Sequence, residues 1–289
     1  MTVNPAEGTK TGTAPSALAP SAAVAARLSA SPLLVALDID GTLAPIAPTP
    51  ESAIVPEEVS TTLKELAELP HAHLVFVTGR AAGDGRRLVN TGNSWTIGNH
   101  GFELIDPAGT LHVNEVAKSF GPSMARAVEM LREPLSRYDG VRLEDKIWTV
   151  SIHFRLARPD DVPNLEKMVR QTAQQLSLRV LEGKMIFELR PPVDIHKGTA
   201  LLALATSLAI VRDGHLAGSI LYVGDDRTDE DAFRALPPPP ANAVTVHVGG
   251  AELPDGTRTA AELLLADPAA VHHFLEWLAA FRLTNGRRA

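Results

Sequence analysis

The 289-residue chain contains no cysteine. That rules out a disulfide framework and any thiolate metal site, and it is compatible with a reducing cytosol. No dense stripe of lysine or arginine interrupts a formal net charge of -7 and a pI near 5.8, so the electrostatic footprint of a nucleic-acid binder is missing. No apolar run is long enough to cross a bilayer: the longest, residues 199–211, is flanked like a soluble helix. Residues 1–30 are rich in Ala, Ser, Thr and Pro but lack a basic start followed by a continuous apolar core. A secretory signal is not expected there, and a disordered or loosely helical leader is. The setting expected from these absences is the cytoplasm, with neither nucleic acid nor membrane as partner. What is present is 45% apolar residues, ample for a packed core, in a length that suits one large or two modest domains. In so acidic a chain, a small anionic substrate would need a local positive site.

The chain is organised around residues 33–45, LLVALDIDGTLAP, where an aliphatic run ends in two aspartates and a glycine turn. The run reads as a buried central strand that delivers Asp38 to its carboxyl end. Side chains two apart on a strand share a face, so Asp38 and Asp40 converge if the chain stays extended. Two carboxylates there suit a divalent cation, and one can attack phosphorus while the other handles a proton. A solvated acidic strand end fits the same stretch; the rest of the chain must separate the two.

A helix over 56–69 follows, then a short strand over 73–77 ending in Thr78-Gly79-Arg80, a helix through Leu88 and Val89, and a third strand with the turn Gly98-Asn99-His100-Gly101 within 96–105. Strands alternating with helices predict a parallel sheet covered by helices. From about residue 113 the rhythm changes. A helix over 116–137 leads to strands over 141–144 and 147–155, paired through a tight Asp145-Lys146 turn. A second helix (161–175) and strand pair (178–181, 185–190) about Glu182-Gly183-Lys184 repeat that order, predicting an inserted α-β-β-α-β-β domain over 113–191. The core then resumes: the apolar helix 199–209, a strand over 220–224 ending in Asp225-Asp226, a stiff polyproline linker over 237–240, a strand over 244–248 and a closing helix over 268–283. Core segments 31–112 and 192–289 thus flank the insert.

Three strands ending in Asp38/Asp40, Thr78 and Asp225/Asp226, with Lys197 opening a helix, form a coherent phosphate-and-metal set, because strand carboxyl ends in open α/β sheets border the ligand crevice. The set resembles the haloacid dehalogenase superfamily of phosphohydrolases. Its motifs stand here as Asp38-Ile39-Asp40-Gly41-Thr42, Thr78, Lys197, and Gly224-Asp225-Asp226 with Asp229. The insert lies where that superfamily carries a C2-type cap, so the implied architecture is α/β, a Rossmann-like core with an α+β cap. More narrowly, Asn99-His100-Gly101-Phe102-Glu103, Glu144-Asp145-Lys146, Gly183-Lys184, Glu188-Leu189-Arg190-Pro191, His196-Lys197-Gly198 and residues 224–233 are similar to trehalose-6-phosphate phosphatases.

That resemblance implies Asp38 as nucleophile and Asp40 as the acid that protonates the leaving oxygen and then activates water. It implies magnesium, held by Asp38, the Asp40 main-chain carbonyl and Asp225. Phosphate would be held by Thr78, the Gly79 amide and Lys197, and the sugar by His100, Gly101, Glu144, Lys146 and Glu188. Asp226 and Asp229 could act behind the metal, orient Lys197 or cap a helix; Arg80 could meet phosphate or fix a loop through an ion pair. Asp84 and Glu230 read as surface residues, and His71, His73, His272 and His273 show no metal spacing. Within enzymes a phosphatase of another sugar phosphate, such as sucrose 6-phosphate, shares the same core chemistry. From another class, a non-catalytic sugar-phosphate sensor or a synthase partner domain remains open.

Overall fold

The computed structural model describes residues 16–18, 20–89, 91–183, 185–253 and 256–285. Residues 1–15 of the expected leader and Lys184 of the cap motif lie outside these. In chain order the elements begin with α1 (Ala22–Ser29), β1 (Leu33–Leu37), α2 (Glu57–Ala67), β2 (Ala72–Val77), α3 (Ala82–Val89), β3 (Trp95–Gly98), β4 (Glu103–Ile105) and β5 (Leu111–Val113). The insert follows with α4 (Glu115–Ser119), α5 (Gly121–Leu135), β6 (Arg142–Asp145), β7 (Val150–His153), α6 (Val162–Leu176), β8 (Arg179–Gly183) and β9 (Ile186–Arg190). The chain closes with α7 (Lys197–Ser207), β10 (Val211–Arg212), β11 (His215–Leu216), β12 (Ser219–Gly224), α8 (Arg227–Ala235), β13 (Ala243–Val248), β14 (Leu263–Leu265) and α9 (Pro268–Asn285).

The large sheet has the order β14-β13-β12-β1-β2-β3-β4-β5. It is parallel from β14 to β3, and β4 and β5 extend it antiparallel, so the expected parallel sheet is in fact mixed at one edge. β1 is the point where the chain order reverses, since β2 lies on one side and the later β12 on the other. Ligand crevices of open α/β sheets form outside the carboxyl ends of strands at such a point. Within β1, Leu33, Val35 and Leu37 face a core built with α1, α2 and α9, while Leu34 and Ala36 face one built with α7 and α8. The period of two then aims Asp38 toward α7 and α8.

The insert forms its own four-stranded antiparallel sheet, β6-β7-β9-β8, with α5 and α6 on one face. Val150, Ile152, Phe187 and Leu189 pack there with Leu131, Leu165 and Val169. The middle of its opposite face is polar yet buried: Thr149 and Ser151 are fully covered, because this part lies over the carboxyl ends of the large sheet, while Leu181 on the edge strand β8 is exposed.

Several expectations need correction. The helix expected over 116–137 is two, since the chain breaks at Phe120 and restarts with Gly121 and Pro122, whose ring fits a first helical turn. The tight Asp145-Lys146 turn is a four-residue connection, 146–149: Asp145 still pairs with Val150, and Lys146 N–H reaches Thr149 O at 3.0 Å. Residues 239–240 lie in a turn rather than an extended polyproline stretch. Part of the supposedly unstructured leader is ordered, because α1 buries Val24 and Leu28 against the core and Arg27 donates to Ala243 O at 2.6 Å. Among the described residues no helix is long and apolar enough to cross a membrane.

Candidate active site

Asp38 lies at the end of β1 and is 4% exposed. Its Oδ1 accepts from Lys197 Nζ at 2.7 Å, and the same ammonium donates to Asp229 Oδ1 at 2.7 Å. Lys197 is the first residue of α7, where the helix macrodipole opposes a positive charge. The two carboxylates offset that opposition and the cost of burial, and they hold its pKa well above the usual lysine value. Burial, with help from Asp229 and Asp225, pushes the Asp38 carboxyl well above the carboxylate range while Lys197 opposes. A site that collects so much negative charge in a low dielectric calls for a further cation.

Asp229 is the scaffold of this cluster. Its Oδ1 also accepts from Tyr222 OH at 2.7 Å, and its Oδ2 takes the backbone N–H groups of Asp225 (3.1 Å) and Asp226 (2.9 Å). Of the alternatives left open by the sequence, orientation of Lys197 is therefore the one the geometry gives to Asp229, and Asp226 is the N-cap residue of α8. Carboxylate oxygens of Asp38, Asp225 and Asp229 lie within 4.8 Å of one another. With Asp229 committed to four donors, Asp38 and Asp225 are the pair suited to a hard divalent cation. The turn is shaped to admit Asp225: a Cβ on Gly41, whose φ is +87°, would lie 2.2 Å from Asp225 Oδ2.

Asp38 and Asp40 both line the cleft, but not on an extended chain. The chain folds back after Ile39, with Gly41 N–H on Ala44 O at 2.7 Å, and the Asp40 carboxylate turns to Arg80. At the end of β2, Thr78 is buried and its Oγ1 accepts from Arg80 N–H at 3.1 Å. Gly79 has no room for a side chain, because a Cβ would meet the His100 ring at 2.5 Å. Asn99 and His100 both adopt left-handed backbone (φ 48° and 56°), a conformation that costs free energy for non-glycine residues and gathers at functional sites.

The cap contributes a polar row. Glu144, Ser151 and Glu188 stand opposite one another across β6, β7 and β9. Lys146 Nζ donates to Glu188 Oε1 at 3.0 Å and crosses to the core to donate to Gly79 O at 2.9 Å. Asn99 answers from the core, donating to Lys146 O at 3.1 Å and accepting from Thr149 Oγ1 at 2.9 Å. Glu188 also accepts from Ser151 Oγ at 3.1 Å, pairs with His100 Nε2 at 3.2 Å and is forked by Arg190. These cations hold its carboxyl well below the usual range despite burial, whereas burial and Arg190 push His100 down to about 3. Glu144 meets His153 Nε2 at 2.7 Å.

A cleft of about 860 Å³ lies between core and cap, lined by Asp38, Asp40, Thr78, Gly79, His100, Glu144, Lys146, Glu188 and Lys197. Gly101 is not among its walls; it sits against Ala200 and the His196 carbonyl at the start of α7. Glu230 is 1% exposed, contrary to the surface position expected, because it accepts from Thr259 Oγ1 at 2.6 Å and Ala260 N–H at 2.9 Å. Sequence reasoning gave no role to Asn99, Thr149 or Ser151, whose importance comes from contacts between segments 37 to 50 residues apart. It quoted Arg190 only as part of a motif.

The sequence model of the trehalose-phosphatase family matches residues 36–268. A trehalose-phosphate phosphatase of Mycobacterium marinum is 37% identical over 253 residues, 87% of this chain and 63% of that protein. The chain thus spans less than two thirds of that relative's length. Among solved structures, a trehalose-6-phosphate phosphatase related protein superposes with a TM-score of 0.73 at 27% identity, covering 87% of this chain and 99% of the other. A haloacid dehalogenase-like hydrolase from Bacteroides thetaiotaomicron shares the fold at a TM-score of 0.59 and 15% identity, over 84% and 98% of the two chains. With a family match that takes in both the acid cluster and the cap row, this chain belongs to the trehalose-phosphatase family, on a haloacid dehalogenase-like fold.

Proposed function

We propose that the chain hydrolyses trehalose 6-phosphate to trehalose and phosphate, in the cytoplasm, through an aspartyl-phosphate on Asp38 and with magnesium. The observation that carries this reading is a carboxylate, Asp38, fixed by Lys197 at the floor of a cleft that the cap residues Glu144, Lys146 and Glu188 line from the other side. Asp38 and Asp225, with the main-chain carbonyl of Asp40, would hold the ion. When bound, it would offset the charge repulsion between an anionic nucleophile and a phosphate dianion.

Thr78, the Gly79 amide and Lys197 bind the phosphate oxygens, and Lys197 keeps its proton because two carboxylates surround it. An Asp38 oxygen forms a bond to phosphorus as the bond to the sugar oxygen breaks, and Asp40 gives its proton to that oxygen. Water then attacks phosphorus, its proton passes to Asp40, and the Asp38 carboxylate is released. The cap supplies selection: Lys146 has placed two of its three protons, on Gly79 and Glu188, and the third is available to a sugar hydroxyl.

Phosphate release is to be measured on trehalose 6-phosphate, sucrose 6-phosphate, glucose 6-phosphate and a small aryl phosphate, with magnesium and after chelation. Turnover highest on trehalose 6-phosphate, lost with EDTA, restored by magnesium and abolished in a folded Asp38→Asn protein is the expected result. Preference for another sugar phosphate would move the substrate assignment, and an active Asp38→Asn protein would overturn the mechanism.

A further inference from the structure

Arg80 follows the Thr78-Gly79 turn, and its guanidinium reaches back to Asp40. Nε donates to Oδ2 and Nη2 to Oδ1, each at 2.6 Å, while Nη1 donates to Pro50 O at 2.8 Å. The backbone beneath Arg80 is tied down at three consecutive carbonyls. Those of Thr78, Gly79 and Arg80 accept from His100 N–H (3.1 Å), Lys146 Nζ (2.9 Å) and Asn99 N–H (2.6 Å). The Asp40 side chain, by contrast, is 38% exposed against 14% for Arg80. A half-open aspartate on a turn has several rotamers to choose from, and a fork on a clamped loop selects one.

We propose that Arg80 is a positioning residue for Asp40, setting the plane of its carboxyl so that one oxygen meets the leaving group and, later, the attacking water. This rests on the phosphatase reading above. As the bond from phosphorus to the leaving oxygen breaks, the proton on Asp40 passes to that oxygen; as water adds to phosphorus and the bond to Asp38 breaks, the water's proton passes to Asp40. In each transfer one Asp40 oxygen must turn to the reacting atom, so one N–H of the fork lets go while the other keeps the carboxyl aimed. A lysine cannot do this, because its charge is a point and not a planar pair of donors.

The test is a leaving-group series that leaves the sugar site out of play. Initial rates with magnesium are measured on aryl phosphates from nitrophenyl to phenyl and on a simple alkyl phosphate. The proteins are wild type, Arg80→Lys, Arg80→Gln, Asp40→Asn and the Arg80→Lys/Asp40→Asn double variant. A nitrophenolate departs without a proton, and an alkoxide does not. Both Arg80 variants, like Asp40→Asn, should lose roughly 100-fold in kcat/KM, which reports the step that breaks the ester bond, on the alkyl phosphate but less than about threefold on nitrophenyl phosphate. The double variant should match Asp40→Asn alone within about threefold. An equal loss across the whole series, the mark of a phosphate ligand or a purely structural arginine, would overturn the proposal, as would additive losses in the double variant. A wild-type protein inert on every ester, trehalose 6-phosphate included, would instead overturn the phosphatase reading beneath it.

Discussion

A methyl group on Gly41 would lie 2.2 Å from Asp225 Oδ2 and would be carried at φ +87°, a conformation that L-residues rarely adopt. Gly41→Ala should therefore cost about 1–2 kcal/mol in stability from the backbone alone and push Asp225 off its place. Magnesium titration of activity should show a raised requirement, and an unchanged requirement would mean Asp225 is no ligand. His100 gives a residue-scale test of pH. Its pKa is about 3 in the folded protein against about 6.5 when unfolded. Between those values the unfolded chain binds the extra proton, so the stability His100 contributes is complete above pH 6.5 and drains away as pH falls. By pH 5 the loss is about 2 kcal/mol. Glu188, held low by its cations, loses its contribution only below its ordinary carboxylate range and stays outside this window. Between pH 8 and pH 5 the loss seen by urea unfolding should be larger in wild type than in His100→Gln by that amount, the remainder including His73, which burial also holds low. The acids, Thr78 and Lys197 were legible because chemistry restricts the residue types that can do their work. Glu230 was misread because burial by a distant segment leaves no mark on the local sequence.

At the level of elements, the sequence was clearest where periodicity ran long. β1, β2, β12 and β13 appear as aliphatic runs, and the alternation in β7 foretold one buried face, although the other face proved to be covered by the core. α1 was missed because eight residues carry only two large apolar side chains, Val24 and Leu28, one helical turn apart. Ser21, whose hydroxyl accepts from Val24 N–H at 3.3 Å, was the available signal. β14 and the β10–β11 hairpin are too short to show a period. The helix now carries a prediction of its own. Leu28 is fully buried, and Arg27 meets the first residues of β12 and β13, at the strand ends opposite Asp225. Leu28→Ala should lower stability by about 2–5 kcal/mol while leaving kcat of the folded protein unchanged. Thermal melts and initial rates below the transition check both halves. A melting point equal to wild type would mean that α1 does not pack as described.

The hydrophobic cluster of the insert is separate from those of the large sheet, and among the described residues several polar contacts join the two parts: Lys146 on Gly79, Asn99 on Lys146 and Thr149, His100 on Glu188. Such contacts can be broken and remade without exposing an apolar core, which suits a lid that must admit and release a sugar. The three cap residues should consequently fail in different ways. Glu144 has His153 as its close partner and faces the cleft, so Glu144→Ala should act mainly on the sugar. Lys146→Ala removes a sugar donor and also a tie between cap and core. Glu188→Ala leaves Lys146, Arg190 and a neutral His100 without their shared acceptor, so it should lower stability as well as activity. The discriminating quantity is kcat/KM on trehalose 6-phosphate divided by kcat/KM on a small aryl phosphate, which reaches Asp38, Thr78 and Lys197 but none of the cap carboxylates. For Glu144→Ala the ratio should fall about 10- to 30-fold, the worth of one or two lost polar contacts, with stability unchanged. For Lys146→Ala it should fall further, and for Glu188→Ala the fall should come with a lower melting point. If the ratio holds at its wild-type value in all three, the cap does not read the sugar, and specificity must be sought on the core side of the cleft.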